Sequence, residues 1–275
     1  MLKNCDQDVS SDETIFLIAS QINHGPDSIL KNNEELRTTA MMMNMKAGKR
    51  AADRLSHQTA YSYFHIASSM LPQDQWENQY DLTLQLSFLL ASAANCSCKY
   101  DEAELILQTI IRKAQSTSDK LPAYFLLCNI FQTHGKLVDA YKMYSSALSQ
   151  LGETIPDTVT PETSESLIRE TVDMFKELYN EEWQKKKIED DTIRDIVKFY
   201  TGISFAAYFF QPRELVTWFV CKAAQLCLQN GMCQFAPVSF VQFTVFALDQ
   251  AVVQGYILPA SISRRRIQGY IPYIW

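Results

Sequence analysis

Glycine and proline are scarce in this chain of 275 residues, at 8 and 9 copies. Strand-rich folds turn often and lean on both residues, so their scarcity favours long helices. Positive charge is also in deficit. Lysine and arginine total 25 against 31 aspartates and glutamates, a formal net charge of −6. A weakly acidic chain has no overall attraction for nucleic acid or for an anionic membrane. Cys-x-x-Cys is absent, and none of the four histidines stands at ligand spacing from a cysteine pair, so a zinc site is not expected. The seven cysteines are odd in number and fit no disulfide framework. Most lie in apolar stretches, where a free thiol acts as a small hydrophobe in a reducing, cytoplasmic setting. The first 13 residues are polar and acidic, unlike a secretory signal.

Helical periodicity is what the sequence does have. Ser10-x-x-Glu13 is a capping box, and the helix it opens carries Ile15, Phe16, Ile18, Ala19 and Ile22 on one face until Gly25-Pro26. Residues 32–55 form a long helix with Leu36, Ala40, Met43, Ala47 and Ala51 inward, and Ala60, Phe64, Ala67 and Met70 continue in a second that stops at Pro72. The pair then recurs over residues 76–94 and 101–114, and again over 120–133 and 137–151. The alanines Ala60, Ala103 and Ala140 mark one register, 43 and then 37 residues apart, against roughly 34 in a standard tetratricopeptide (TPR) repeat. The fold class is therefore all-α, with TPR-like antiparallel helix pairs stacked as an α-solenoid. Helices over 165–187, 190–208, 215–229 and from Ala236 to about 253 follow a Thr- and Pro-containing linker. The expected domains are an N-terminal segment with a short helix (1–27), the repeats (28–157), further apolar helical hairpins (158–252) and an irregular tail (253–275).

Several features invite a functional reading and receive a plainer one. Residues 223–248 carry no charge, which raises a membrane span. Gln229-Asn230-Gly231 and Pro237 break the run, however, and the unbroken part falls short of the roughly 20 residues a span requires, so a buried helix pair is expected. Gly48-Lys49 looks like part of a phosphate loop, but Met43 stands where the second glycine belongs. Lys46, Lys49 and Arg50 are read as a solvated basic face. No nucleophile pairs with His24, His57, His65 or His134 in a recognisable motif. The aromatic run Phe199, Tyr200, Phe205, Tyr208, Phe209 and Phe210 is read as packing between helices, with a groove lining as the alternative. Arg264-Arg265-Arg266 through Trp275 reads as a ragged end left by truncation of a longer gene.

A run of local matches also gives a resemblance. Asn44-Met-Lys-Ala-Gly-Lys-Arg-Ala-Ala is followed by Thr59-Ala60-Tyr61-Ser62-Tyr63-Phe64, then by Trp76, Tyr80-Asp81-Leu82-Thr83-Leu84 and Tyr100-Asp101-Glu102-Ala103. Asp119-Lys120, Gly135-Lys136-Leu137 and Leu151-Gly152-Glu153 complete the order, and residues 16–25 resemble the last helix before the repeats. Over residues 14–248 the chain resembles the TPR-like region that follows the AAA-type ATPase module in large multidomain signalling proteins. Those proteins carry a serine/threonine-kinase-like domain before the ATPase, and often a GAF and histidine-kinase segment after the repeats. Neither the ATPase phosphate loop nor a histidine-kinase phosphoacceptor motif is matched. The resemblance implies a non-catalytic scaffold that needs no cofactor or metal and holds protein segments, within or between chains. Asn44, Lys49, Gln85, Asn129 and Gln132 are the expected lining of its partner groove. The alternative is a stand-alone adaptor whose apolar C-terminal region docks on a membrane or a partner.

Overall fold

The computed structural model describes residues 12–25, 33–180 and 182–247. Among them are twelve α-helices, a 3-10 turn and a terminal π-helical turn, and no strand beyond one isolated bridge. The chain divides into two compact units, Met1–Ile130 and Phe131–Trp275. Ser10, the end of the helix expected to reach 253, and the 253–275 tail lie outside the described residues.

The first unit holds α1 (Asp12–Asn23), α2 (Glu34–Asp53), α3 (His57–Ser69), the one-turn α4 (Gln75–Asn78), α5 (Tyr80–Cys96), α6 (Tyr100–Lys113) and most of α7 (Thr117–Thr133). Asn33 caps α2, its side chain accepting from the Leu36 amide. The buried face of α2 is Ala40, Met41, Asn44, Met45, Ala47, Gly48 and Ala51. Leu36, expected inward, is 45% exposed, because the buried stripe begins only at Ala40. The single helix expected over 76–94 is broken at Gln79 into α4 and α5. α1 packs on α2, α2 on α3, α3 on α5 and α5 on α6.

Small residues let these pairs close. A β-carbon at Gly48 would stand 2.5 Å from the Phe64 ring, so that ring lies on the bare backbone of α2. The turns repeat as well. Leu55, Cys98 and Gly135 all have a left-handed backbone, at φ 57°, 59° and 71°. At each turn the following amide reaches back five residues: Ser56 to Ala51, Lys99 to Ala94 and Lys136 to Phe131. These are Schellman closures, which satisfy carbonyls a helix end leaves open. Ala60, Ala103 and Ala140 each fall five residues after the left-handed position. The register read from the alanines is thus the register of the turns.

The second unit holds α8 (Leu137–Gln150), α9 (Pro161–Leu178), a 3-10 turn (Trp183–Lys185), α10 (Asp191–Ala207), α11 (Arg213–Asn230) and α12 (Ala236–Gln242), followed by the π turn Phe243–Ala247. α10 packs on both α8 and α11, while α9 packs on α11. The helix expected over 165–187 ends at Leu178. Asn180 there accepts from the Trp183 amide, and the Trp183 indole donates to the Leu228 carbonyl at 2.7 Å. That bond holds the indole in a core of Ile168, Val172, Phe175, Val220 and Leu228. A two-residue main-chain pairing then joins Lys187 to Met232, with Ile188 donating to the Met232 carbonyl and Met232 to that of Lys186. Residues 223–242 form a buried helix pair as expected, with Ala223, Ala224, Cys227, Leu228, Ala236 and Ser239 shielded. No helix among the described residues is long and apolar enough to cross a membrane.

Candidate functional site

α10 is built from its cap upward. Asp190 accepts from the amides of Thr192 and Ile193, and Asp191 adds a second acid to the first turn, where acids favour the helix dipole. Val197, Phe199, Tyr200, Ile203, Ala206 and Ala207 are fully buried or nearly so. The Tyr200 phenol donates to the Glu153 carboxylate at 2.5 Å; its burial, and then that carboxylate, push its pKa far up. A polar seam ties α10 to α12. Thr201 pairs with Ser239 at 2.8 Å, Ser204 donates to Gln242 at 3.0 Å, and Gln242 donates to the Thr201 carbonyl. On α8, Tyr144 lies on Gly202, where a β-carbon would come within 2.4 Å of the ring.

Burial is interrupted at Phe205 and ends after Ala207. Phe205, Tyr208, Phe209 and Phe210 are 47%, 54%, 58% and 39% exposed. Their rings pack on each other rather than inward, with Phe205 and Tyr208 at 5.7 and 5.3 Å from Phe209, centroid to centroid. Phe210 meets Tyr141 of α8 edge-on at 5.5 Å. The turn is fixed by the Phe210 and Gln211 amides, both donating to the Ala207 carbonyl, and Pro212 begins the next helix. Most other exposed large apolar residues, such as Leu17, Met42, Leu105 and Val138, are scattered singly. Phe205 in the last turn of α10 and Tyr208, Phe209 and Phe210 just after it are instead exposed together, as an apolar cluster. The packing expected for the aromatic run therefore holds in full for Phe199 and Tyr200 and in part for Phe210, through Tyr141.

The residues expected to line a groove fall in different surroundings. Asn44 is fully buried and exchanges two amide hydrogen bonds with Asn23, at 2.8 and 2.9 Å. Lys49 and Gln85 are exposed, and Asn129 is half-buried. Gln132 accepts from Tyr144 and donates to the Gly202 carbonyl, a positioning role within the second unit. Of the basic face, Arg50 joins Arg54 in binding Asp12 of α1, so it anchors a helix. Gly48 lies within α2 beneath a ring and not in a loop. An open cleft of about 330 Å³ lies between α1 and α3, lined by Asn23, His24, Gln58 and Tyr63. A second, of about 660 Å³, is walled by Lys185, Lys186, Lys187, Asp190, Ile193 and Asn230.

No protein-family model matches the chain, and no curated protein matches its sequence.

Proposed function

We propose that this chain is a non-catalytic helical scaffold that mediates protein–protein interaction by holding a segment of another protein on the aromatic end of α10. The observation that carries this reading is the group Phe205, Tyr208, Phe209 and Phe210, exposed together on the last turn of α10 and the hydrogen-bonded turn that follows it. Aromatic anchors on a rigid support are the usual source of binding energy at interfaces, because little side-chain freedom is lost when they are covered. The resemblance over residues 14–248 adds the setting: a cytoplasmic TPR-like module of a signal-transduction ATPase with an associated histidine kinase, coupling one to the other. Exposed Lys49 and Gln85 give the first unit contact positions of its own.

The test places a photo-crosslinking amino acid at position 209, with position 53 as an exposed control. Cross-linking in native cells, identification of the product and titration of the purified pair follow. The reading expects a product from 209 alone and at least a tenfold weaker affinity with Phe205→Ser and Phe209→Ser, on the scale of interface anchors. Equal cross-linking from both positions, or unchanged affinity, overturns it. Flotation of the purified chain with lipid vesicles, abolished by the same substitutions, would replace it with the membrane-docking alternative. ATP turnover by the purified chain would show that the scaffold is catalytic.

A further inference from the structure

Cys227 and Cys233 stand six residues apart, a spacing that fits neither a metal site nor a redox motif. The structure brings them together. Cys227 lies in the last turn of α11 and is fully buried. Gly231, at φ 118°, then turns the chain back. A β-carbon there would stand 2.7 Å from the Lys186 carbonyl, so the turn is seated directly on residue 186. The main-chain bonds of Met232 and Ile188 hold it in place. Cys233 thereby returns against Cys227 in one small core with Ile188, Val197 and Ala236.

The two sulfurs are unlike. The Cys227 thiol donates to Cys233 and also touches the Ser239 hydroxyl; that hydrogen bond to Cys233, with burial, keeps Cys227 protonated. Cys233 is half-buried. It receives the Cys227 hydrogen bond first, then the amides of Phe235 and Ala236 and the field of Arg194, and these hold its thiol below the ordinary range. Arg194 is itself fixed by the carbonyls of Ile188 and Glu189. Ile188 and Ile193 belong both to this core and to the wall of the 660 Å³ cleft, so solvent reaches to within one side chain of the pair. An accessible thiolate beside a shielded thiol is the arrangement in which one sulfur attacks and the other resolves.

We propose that Cys233 and Cys227 form a peroxide-responsive dithiol, with Cys233 the attacking and Cys227 the resolving sulfur. The Cys233 thiolate attacks one peroxide oxygen and the O–O bond breaks. The leaving hydroxide takes a proton and departs as water, and Cys233 becomes a sulfenic acid. The Cys227 sulfur then attacks the Cys233 sulfur and the S–O bond breaks. That hydroxide takes the Cys227 proton and leaves as a second water. Two thiols are oxidised to one disulfide and one peroxide is reduced to two waters. The new bond ties the end of α11 to the start of α12.

Tryptic cleavage gives a direct assay, because residues 223–264 contain no internal lysine or arginine and only these two cysteines. The purified full chain is treated with equimolar hydrogen peroxide, alkylated and digested. The expected result is an unalkylated 223–264 peptide two hydrogens lighter than the reduced form, restored by dithiothreitol. Cys233 in the untreated chain should alkylate at least roughly tenfold faster at neutral pH than shielded Cys227, in keeping with its greater exposure and lowered thiol. Cys227→Ala should leave Cys233 as a sulfenic acid trapped by dimedone, and Cys233→Ser should leave Cys227 unreactive. Oxidation of Cys96 and Cys98 while the 223–264 peptide keeps both thiols would overturn the proposal. That result needs only the wild-type chain, so it holds even if a variant fails to fold.

Discussion

The Phe64 ring lies against Gly48, closely enough that the missing β-carbon of residue 48 would sit 2.5 Å from it. Phe64 is only 1% exposed, so the ring has nowhere to retreat. Gly48→Ala should therefore destabilise the first unit by about 1–3 kcal/mol, the usual cost of overpacking a filled core. Denaturation in urea measures it. Shrinking the ring with Phe64→Leu should recover part of the loss in the double variant, since the two positions share one volume.

The repeated turn supplies an opposite pair of substitutions. Leu55 is 77% exposed and holds a left-handed backbone that favours glycine. Leu55→Gly should raise stability by about 0.5–1 kcal/mol, because relief of strain outweighs the extra freedom of the unfolded chain and little burial is lost. Gly135 occupies the equivalent turn with open space where its β-carbon would go. Gly135→Ala should still cost about 1 kcal/mol, from the backbone alone. Equal and negligible shifts in thermal midpoint would contradict both.

Tyr61 offers a spectroscopic test. Its burial comes first, then its hydrogen bonds to both oxygens of Glu102 at 2.9 and 2.8 Å, and together they push its phenol up to about 12. A phenol raised in the folded state favours folding fully below its unfolded value of about 10, and that contribution is lost as pH climbs towards 12. The ultraviolet difference spectrum between wild type and Tyr61→Phe should show this late ionisation. Glu102→Gln should bring it partway back, since burial remains.

The Asn23–Asn44 amide pair fastens α1. With Asn44 fully buried and bonded also to the Ala40 carbonyl, Asn44→Ala removes three hydrogen bonds and takes the protein partner from the half-buried Asn23 amide. The expected loss is about 1–3 kcal/mol, the cost of leaving such a group unsatisfied. Hydrogen exchange should locate it: amides of α1 exchange faster, while those of α5 and α6 are unchanged.

The sequence made the helix pairs legible because one small residue per pair recurs at a fixed distance from each turn. Ala60, Ala103 and Ala140 therefore marked the register without any knowledge of φ. Periodicity failed where a tertiary partner decides. After α9 ends at Leu178, Asn180 caps a short local turn, and the indole bond from Trp183 to Leu228, 45 residues away, fixes where that turn sits. Helical period also assigns Phe205 and Phe209 to a face without saying whether a neighbour extends far enough to cover them. Asn44 reads as a polar surface residue until its partner on α1 is known. Cys227 and Cys233 escape any motif search because a helix end and a tight turn, not a spacing rule, bring them together.

The three Schellman turns have one further consequence. Each has the same length, whereas the repeat spacing varies, so the variation lies in the segments between pairs, such as residues 70–79 around α4. The turn inside a pair works as a rigid joint of set size, and the segment between pairs as an adjustable one. Insertions should be tolerated around 72–74, where half-buried or exposed residues carry few long-range bonds, and rejected at 54–56, where a single added residue would break the five-residue closure. Length in this chain is thus free to drift in one class of connection and held constant in the other.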